Sequence, residues 1–271
     1  MTRRVLVFAT HSLRRVGGIV VGLGLLLAVF QFLLTQIATY LVRHSAFAQL
    51  SMLMPDFVRT VAGPSALAFM SFTGVVGLGY FHPVVIAATI GVTIGIATEP
   101  ASEVETRFVD LTLARELTRA DVISRSVLVF AASAVFVLGM MVAGTSVGLS
   151  CCTPVDIPRP SPSVIVSLAI SLGTVMVCWA GIAAAAAALA RRRAVAGAIV
   201  GVAALAAYLL DYVGRAWDPA RALSRLSPFH YFEPTTLITG QPLRAGDVLP
   251  LLATGIVGIA AAYILFARRD I

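Results

Sequence analysis

Long, uninterrupted apolar runs constrain this sequence more than any other feature. A helix of about 20 apolar residues is long enough to cross the ~30 Å of a bilayer's hydrocarbon core. Hydrophobic residue types make up 59% of the 271 residues and charged types only 12%, against about 45–50% and about 25% in soluble domains. That much apolar surface exceeds what one water-soluble core can hide. The sequence therefore predicts an all-α, polytopic membrane protein.

We predict six membrane spans in a single domain that covers residues 1–271. The first apolar run is longer than the roughly 7–15 residues of a signal-peptide core, so we expect it to be kept as the first span. The predicted spans lie at about 17–42, 83–98, 126–148, 164–190, 194–213 and 248–267.

The second predicted span is short and is expected to recruit 79–82, with Pro83 in a first helical turn where its missing N–H costs little. The stretch 61–80 is apolar enough to be a seventh span. A connection of only Phe81 and His82 would, however, leave backbone groups unsatisfied in lipid. We therefore expect an outer, interfacial amphipathic pair of helices at about 49–80, broken at Gly63-Pro64.

The distribution of arginine predicts the orientation, because cytoplasmic loops are enriched in basic residues. All 20 basic residues are arginines. With the N-terminus inside, the inner segments hold 13 of them, at 3, 4, 14, 15, 107, 115, 119, 125, 191–193, 268 and 269. The remaining seven fall in longer outer segments. We therefore expect a multi-pass protein of the cell (inner or plasma) membrane with both termini cytoplasmic.

The absence of lysine excludes one class of function for the chain alone. A P-loop ATPase needs the lysine of its phosphate-binding motif, so ATP-driven work would require a partner protein. The arginines flank apolar runs and form no stripe, so nucleic acid is not an expected partner despite the net charge of +7. Cys151, Cys152 and Cys178 have no metal-ligand spacing. We expect no catalytic residues, no metal site and no cofactor on this chain.

The loop at 99–125 is charged and is predicted to be cytoplasmic. Val109, Leu113 and Leu117 recur at i, i+4 and i+8, which makes a narrow apolar stripe on a helix. Glu116 and Arg119 are three residues apart and can pair. Such a helix could lie on the membrane or dock into a partner's groove, or it could be a solvated loop helix with no partner. Composition alone does not separate these readings.

Two groups of motifs carry a resemblance to a known family. The first is Glu103-Val-Glu105, Asp110, Leu113-Ala-Arg115 and Leu117-Thr-Arg119, directly after the second predicted span. The second is Leu226-Ser-Pro228-Phe-His230-Tyr-Phe232-Glu-Pro234 with the terminal Arg268-Arg-Asp270-Ile. Together, on a six-span layout, they resemble the ABC transporter permeases of the second type. Arg107 and Glu116 depart from the family pattern, which usually has Gly and Pro there.

The resemblance implies a permease subunit of an ATP-driven exporter. The loop at 99–125 would contain a coupling helix that docks into a separate P-loop ATPase subunit, which binds ATP and Mg. The expected partners are two copies of that ATPase, a second permease chain and membrane lipids. The coupling residues would be Glu103, Glu105, Val109, Asp110, Leu113, Arg115, Leu117 and Arg119.

Polar side chains inside the predicted spans are few. Gln31 and Gln36 in the first span could line a substrate path or bond to a neighbouring helix. Asp211 lies near the outer end of the fifth span and could be functional or simply hydrated. A rival interpretation of the whole chain is a membrane-embedded enzyme or assembly scaffold that works without an ATPase. It would require a cluster of polar catalytic side chains at one depth in the bilayer.

Overall fold

The computed structural model describes residues 3–44, 70–106, 118–154, 156, 157 and 159–269. The secondary structure in these ranges is helical and includes no strand. The helices are α1 (Arg3–Arg43), α2 (Phe72–Phe81), α3 (Pro83–Ala97), α4 (Glu99–Glu105), α5 (Arg119–Cys152), α6 (Pro162–Leu189), α7 (Arg193–Ala216), α8 (Arg221–Ser224), α9 (Pro234–Ile238) and α10 (Ala245–Ala267).

Six segments in the described part of the chain are long and apolar enough to cross a membrane. They are Ala9–Arg43, Phe72–Ala97, Arg119–Cys152, Pro162–Leu189, Arg193–Ala216 and Ala245–Ala267. The prediction of an all-helical membrane protein with six spans is confirmed at this level. Most of these helices extend beyond their apolar runs. α5, for example, begins early because the Thr118 side chain accepts a hydrogen bond from the Asp121 amide, and the Asp121 side chain accepts one from the Thr118 amide. Such a capping box fixes a helix start.

The second span begins earlier than the sequence predicted. α2 and α3 follow one another with a single break at His82, and together they form one candidate span. The His82 amide donates to the Leu78 carbonyl at 2.8 Å and ends α2, while its Nδ1 accepts from the Val84 amide at 3.3 Å and opens α3. Pro83 occupies the first turn of α3, as predicted.

The outer amphipathic segment predicted at 49–80 is not confirmed. Its part from 72 onward is α2, which is apolar and packs against α1 and α6. Val76 and Tyr80 are buried, so this helix belongs to the bundle. Residues 49–69, including Gly63-Pro64, lie outside the described residues.

Two pairs of helices approach each other closely, α1 with α5 and α6 with α10. A Cβ atom at Gly144 of α5 would collide with the backbone of Ala28 in α1. A Cβ atom at Gly181 of α6 would likewise collide with the backbone of Gly255 in α10. Lipid supplies no hydrophobic drive for helix association, so small residues that allow such close packing stabilise membrane bundles.

Ion pairs join several helices at one end of the bundle, which we call the α4 end. It comprises α4, the adjoining part of α1, the starts of α5 and α7 and the last residues of α6 and α10. The opposite end is covered by residues 217–244, which contain α8 and α9. There Phe229 packs against Trp179 and Tyr208, with ring centroids 5.9 and 5.4 Å apart.

Alanine substitution at two glycines of α5 tests this packing. Gly144→Ala should destabilise the chain by about 1–3 kcal/mol, because overpacking forces the α1 and α5 backbones apart. Gly139→Ala is the matched control, since a Cβ there meets nothing within 4 Å. Thermal unfolding of the purified proteins in detergent measures both effects. Equal midpoints for the two variants would contradict the close α1–α5 contact.

Candidate functional site

The short helix α4 carries three carboxylates at the junction between the second span and α5. Thr98 precedes it and Pro100 lies in its first turn, so the chain restarts a helix one residue after α3 ends. The carboxylates belong to Glu99, Glu103 and Glu105. Glu99 contacts α1 and α7, Glu103 contacts α5, and Glu105 contacts α7. The helix α4 therefore connects helices that are distant in sequence.

Glu99 joins α1 to α7. Its Oε1 lies 3.1 Å from the Arg15 guanidinium and its Oε2 lies 3.1 Å from that of Arg193. Arg193 also donates to the Gly95 carbonyl at 2.8 Å, near the end of α3. The Arg15 side chain is 72% exposed, whereas that of Glu99 is only 14% exposed. The Arg193 bonds therefore tie α7 to the second span directly and through Glu99.

Glu103 and Arg125 form a buried ion pair between α4 and α5. Their side chains are only 7% and 4% exposed. Burial raises the pKa of the Glu103 carboxyl above its usual value, although the Arg125 charge partly opposes that rise. Removing one partner of a buried pair typically costs about 3–5 kcal/mol, because the other charge is left without compensation. This pair therefore fixes α4 against α5 more firmly than a surface contact would.

Glu105 acts on α7 through the backbone. Its Oε2 accepts a hydrogen bond from the Arg193 amide at 3.1 Å, and Arg193 is the first residue of α7. A carboxylate at a helix N-terminus satisfies an unpaired N–H and faces the positive end of the helix dipole. The two acids Glu99 and Glu105 therefore hold the same end of α7.

Arg119 and Arg269 tie together the other helix ends at the α4 end. The Arg119 guanidinium donates to the carbonyls of Ala267, at 3.0 Å, and of Arg269, which joins the start of α5 to the end of α10. Arg269 in turn donates to the carbonyls of Ala188 and Ala190 at the end of α6. These contacts satisfy C-terminal carbonyls that a helix leaves without partners.

The predicted coupling residues divide into two groups. Glu103 and Glu105 lie on α4 and Arg119 begins α5, and all three make the contacts described above. The segment between α4 and the Thr118 cap is bounded on both sides by this network. Five predicted coupling residues fall within that segment and lie outside the described residues: Val109, Asp110, Leu113, Arg115 and Leu117.

Sequence reasoning did not assign the partners of α4. Glu99 was visible as a third carboxylate beside Glu103 and Glu105, in a chain with only 13 acidic residues. Arg15, Arg125 and Arg193 were recognised only as part of the positive charge that sets orientation. A cluster of acids directly after an apolar span, in a chain rich in arginine, was the available signal.

The structure does not bring the three predicted substrate-path residues together. Gln31 on α1 is fully buried, its amide packs against Gly79 of α2, and it has no hydrogen-bond partner among the described residues. Gln36 is half-buried on the same helix. Asp211 lies near the opposite end of α7, where its Oδ2 accepts from Arg215 at 2.8 Å.

An apolar groove of about 400 Å³ lies between α3 and α7, and Phe229 lines it at the end covered by residues 217–244. None of the three substrate-path residues lines this groove. Cys151 and Cys152 at the end of α5 are joined by a disulfide, and Cys178 is buried. Within the described ranges no three His, Cys, Asp or Glu side chains are grouped as metal ligands would be.

No family model, no curated protein and no solved structure matches this chain. The geometry of the α4 end therefore carries the functional interpretation.

A double-mutant cycle tests whether Glu103 and Arg125 form a desolvated pair. We expect Arg125→Met and Glu103→Gln each to lower stability by about 3–5 kcal/mol, because each leaves a buried polar group without its partner. The double variant should lose clearly less than the sum of the two. Reversible unfolding in mixed micelles provides the free energies. Additive losses below about 1 kcal/mol would instead indicate a hydrated surface pair.

Proposed function

We propose that this chain is the permease subunit of an ATP-driven ABC exporter of the second type. In this proposal two permease chains form the translocation path, and two separate P-loop ATPase subunits bind ATP and Mg. The observation that carries it is the acid–arginine network of α4, which directly precedes the segment that resembles the family's coupling helix. Both termini would lie in the cytoplasm, on the same side as α4.

The network suits α4 for transmitting force. A displacement of the segment that follows α4 would reach α5 through the Glu103–Arg125 pair. It would reach α1 and α7 through Glu99 and its two arginines. Because the Glu103–Arg125 pair is buried, separating its charges is costly, so α4 would move together with α5 as one unit.

The driving force would come from the partner subunits. A conformational change follows a ligand only when that ligand binds the two conformations with different affinity. ATP would favour the closed ATPase pair, and the coupling segments would then favour one arrangement of the two helix bundles. Hydrolysis would restore the other arrangement. The chain has no lysine and therefore no P-loop of its own. This agrees with ATP binding on a partner subunit and translocation through the permease.

The exposed faces of α1 and α7 support a second permease chain as partner. Gly18 and Gly22 on α1 have nothing within 4 Å of an added Cβ, and Ile199 and Val202 on α7 are 61% and 68% exposed. Small residues on open faces allow another helix to approach closely in lipid. Gln31, Gln36 and Asp211 remain predictions for the substrate path, and the α3–α7 groove is a further apolar surface that a hydrophobic substrate could contact.

Substitution of Leu113 tests docking of the coupling segment. Leu113→Asp should abolish co-purification of the ATPase, because a carboxylate buried in an apolar groove costs several kcal/mol and each 1.4 kcal/mol is a tenfold loss of affinity. Leu226→Asp is the matched control, since Leu226 is 79% exposed at the opposite end. Membrane insertion of both variants is checked by protease protection. Full ATPase binding by Leu113→Asp would exclude Leu113 as the contact.

Neutralising α4 tests transmission separately from docking. Because Glu103→Gln also lowers stability, only protein that shows a cooperative unfolding transition is assayed. In that protein Glu99→Gln/Glu103→Gln should still bind the ATPase, yet lose most of the transport that accompanies ATP hydrolysis, because α4 no longer holds α1 and α5 and keeps only the Glu105 bond to α7. Asp156→Asn, an exposed acid away from α4, is the control. The measurement is transport per ATP hydrolysed in proteoliposomes. An unchanged ratio in the double variant would show that the pairs do not transmit the movement.

A further inference from the structure

Several arginines at the α4 end have no acidic partner among the described residues, and three of these lie next to the ends of α6 and α10. Arg191 and Arg192 lie in the turn between α6 and α7, and Arg268 directly follows α10. All three are exposed. The described acids at this end are already bonded, since Glu99, Glu103 and Glu105 contact Arg15, Arg125 and Arg193, and Asp121 is bonded to Thr118. We call Arg191, Arg192 and Arg268 the arginine cluster.

A fourth arginine positions this cluster. The Arg269 guanidinium donates to the carbonyls of Ala188 and Ala190, at 3.3 and 2.9 Å, and so holds the end of α10 against the α6–α7 turn. Partial burial, together with the nearby Arg191 charge, lowers the pKa of Arg269. Like charges are thus held close to one another by backbone hydrogen bonds, and an anion beside them would relieve the repulsion.

The cluster lies where a bilayer would place its headgroups. Arg191 and Arg192 separate two candidate spans, and Arg268 follows a third. Large apolar side chains next to them are exposed, including Leu189 at 68% and Val195 at 48%. Exposed apolar surface beside cations matches a phospholipid, with its acyl chains along the helices and its phosphate at the helix ends. Guanidinium groups suit this role because their paired N–H donors match phosphate oxygens.

We propose that the arginine cluster binds the headgroup of an anionic phospholipid. The bound lipid would neutralise the α6–α7 turn and hold it, with the end of α10, at the membrane surface. This binding requires neither ATP nor a partner protein, so it can be tested independently of the proposed exporter function. A glycerophospholipid with a net negative headgroup fits better than free phosphate, because the exposed apolar surface beside the cations offers a place for its chains.

Lipid titration of the full chain in detergent, followed by native mass spectrometry, tests the proposal. The probe is phosphatidylglycerol, with phosphatidylcholine as the zwitterionic reference. The triple variant Arg191→Gln/Arg192→Gln/Arg268→Gln should bind the first phosphatidylglycerol about tenfold more weakly, because each basic residue near an anionic headgroup contributes attraction. The control triple Arg43→Gln/Arg225→Gln/Arg244→Gln removes three exposed charges from the opposite end and should change binding less than twofold.

Four outcomes would overturn the proposal. Equal losses in the two triple variants would mean that only net charge matters. No loss in the cluster variant would mean that the lipid binds elsewhere, and a defect in ATPase co-purification without a change in lipid binding would assign the cluster to the partner protein. Displacement of the lipid by inorganic phosphate, at constant ionic strength, would make this a free-phosphate site. If the triple variant does not fold, Arg192→Gln and Arg268→Gln singly should each show a smaller loss.

Discussion

The buried Glu103–Arg125 pair is the contact on which the rest of the α4 end depends. Apolar helix faces in lipid gain little from choosing one apolar neighbour over another. A carboxylate and a guanidinium removed from water have only each other and nearby polar groups, and this restricts where α4 can lie. Once α4 is fixed on α5, Glu99 can reach Arg15 and Arg193, and Glu105 can reach the start of α7. Away from the α4 end, small residues in the spans determine how closely the helices pack.

The spans could be predicted because they follow from local composition. Their boundaries could not, because they depend on the hydrogen bonds of individual capping residues and on contacts with other helices. Four of the six predicted runs lie within the observed candidate spans, and the run at 164–190 extends one residue beyond Leu189. The second predicted span is too short, because the observed span continues through the break at His82-Pro83 and includes α2. The hydrogen bonds of His82 to both sides of the break explain how the chain continues. Sequence periodicity carries no signal for a histidine that ends one helix and begins the next.

The candidate site was predictable in part for a similar reason. Glu103, Glu105 and Arg119 were assigned from motifs within one loop. Two of them have partners at distant positions, since Arg193 lies 88 residues from Glu105 and Ala267 lies 148 residues from Arg119. Pairings over such distances depend on how the spans assemble, which no local pattern encodes. Arg119 is an example. The motif predicts that it contacts the ATPase, whereas in the structure its guanidinium donates to carbonyls at the end of α10 in the same chain. The apolar stripe of the coupling segment remains a prediction from sequence.

The central claim is that α4 passes a movement of the ATPase to the spans, and a distance measurement tests it most directly. Spin labels at the exposed positions Ala120 on α5 and Ala194 on α7, with native cysteines replaced by serine, report the spacing of these helices at the α4 end. Labelled chains are diluted with unlabelled ones, so that each pair lies within one chain. In the reconstituted complex, ATP trapped with vanadate should shift the distance distribution. Glu99→Gln/Glu103→Gln should abolish that shift while ATP still binds. A shift of the same size in both proteins, or no shift in either, would contradict the claim.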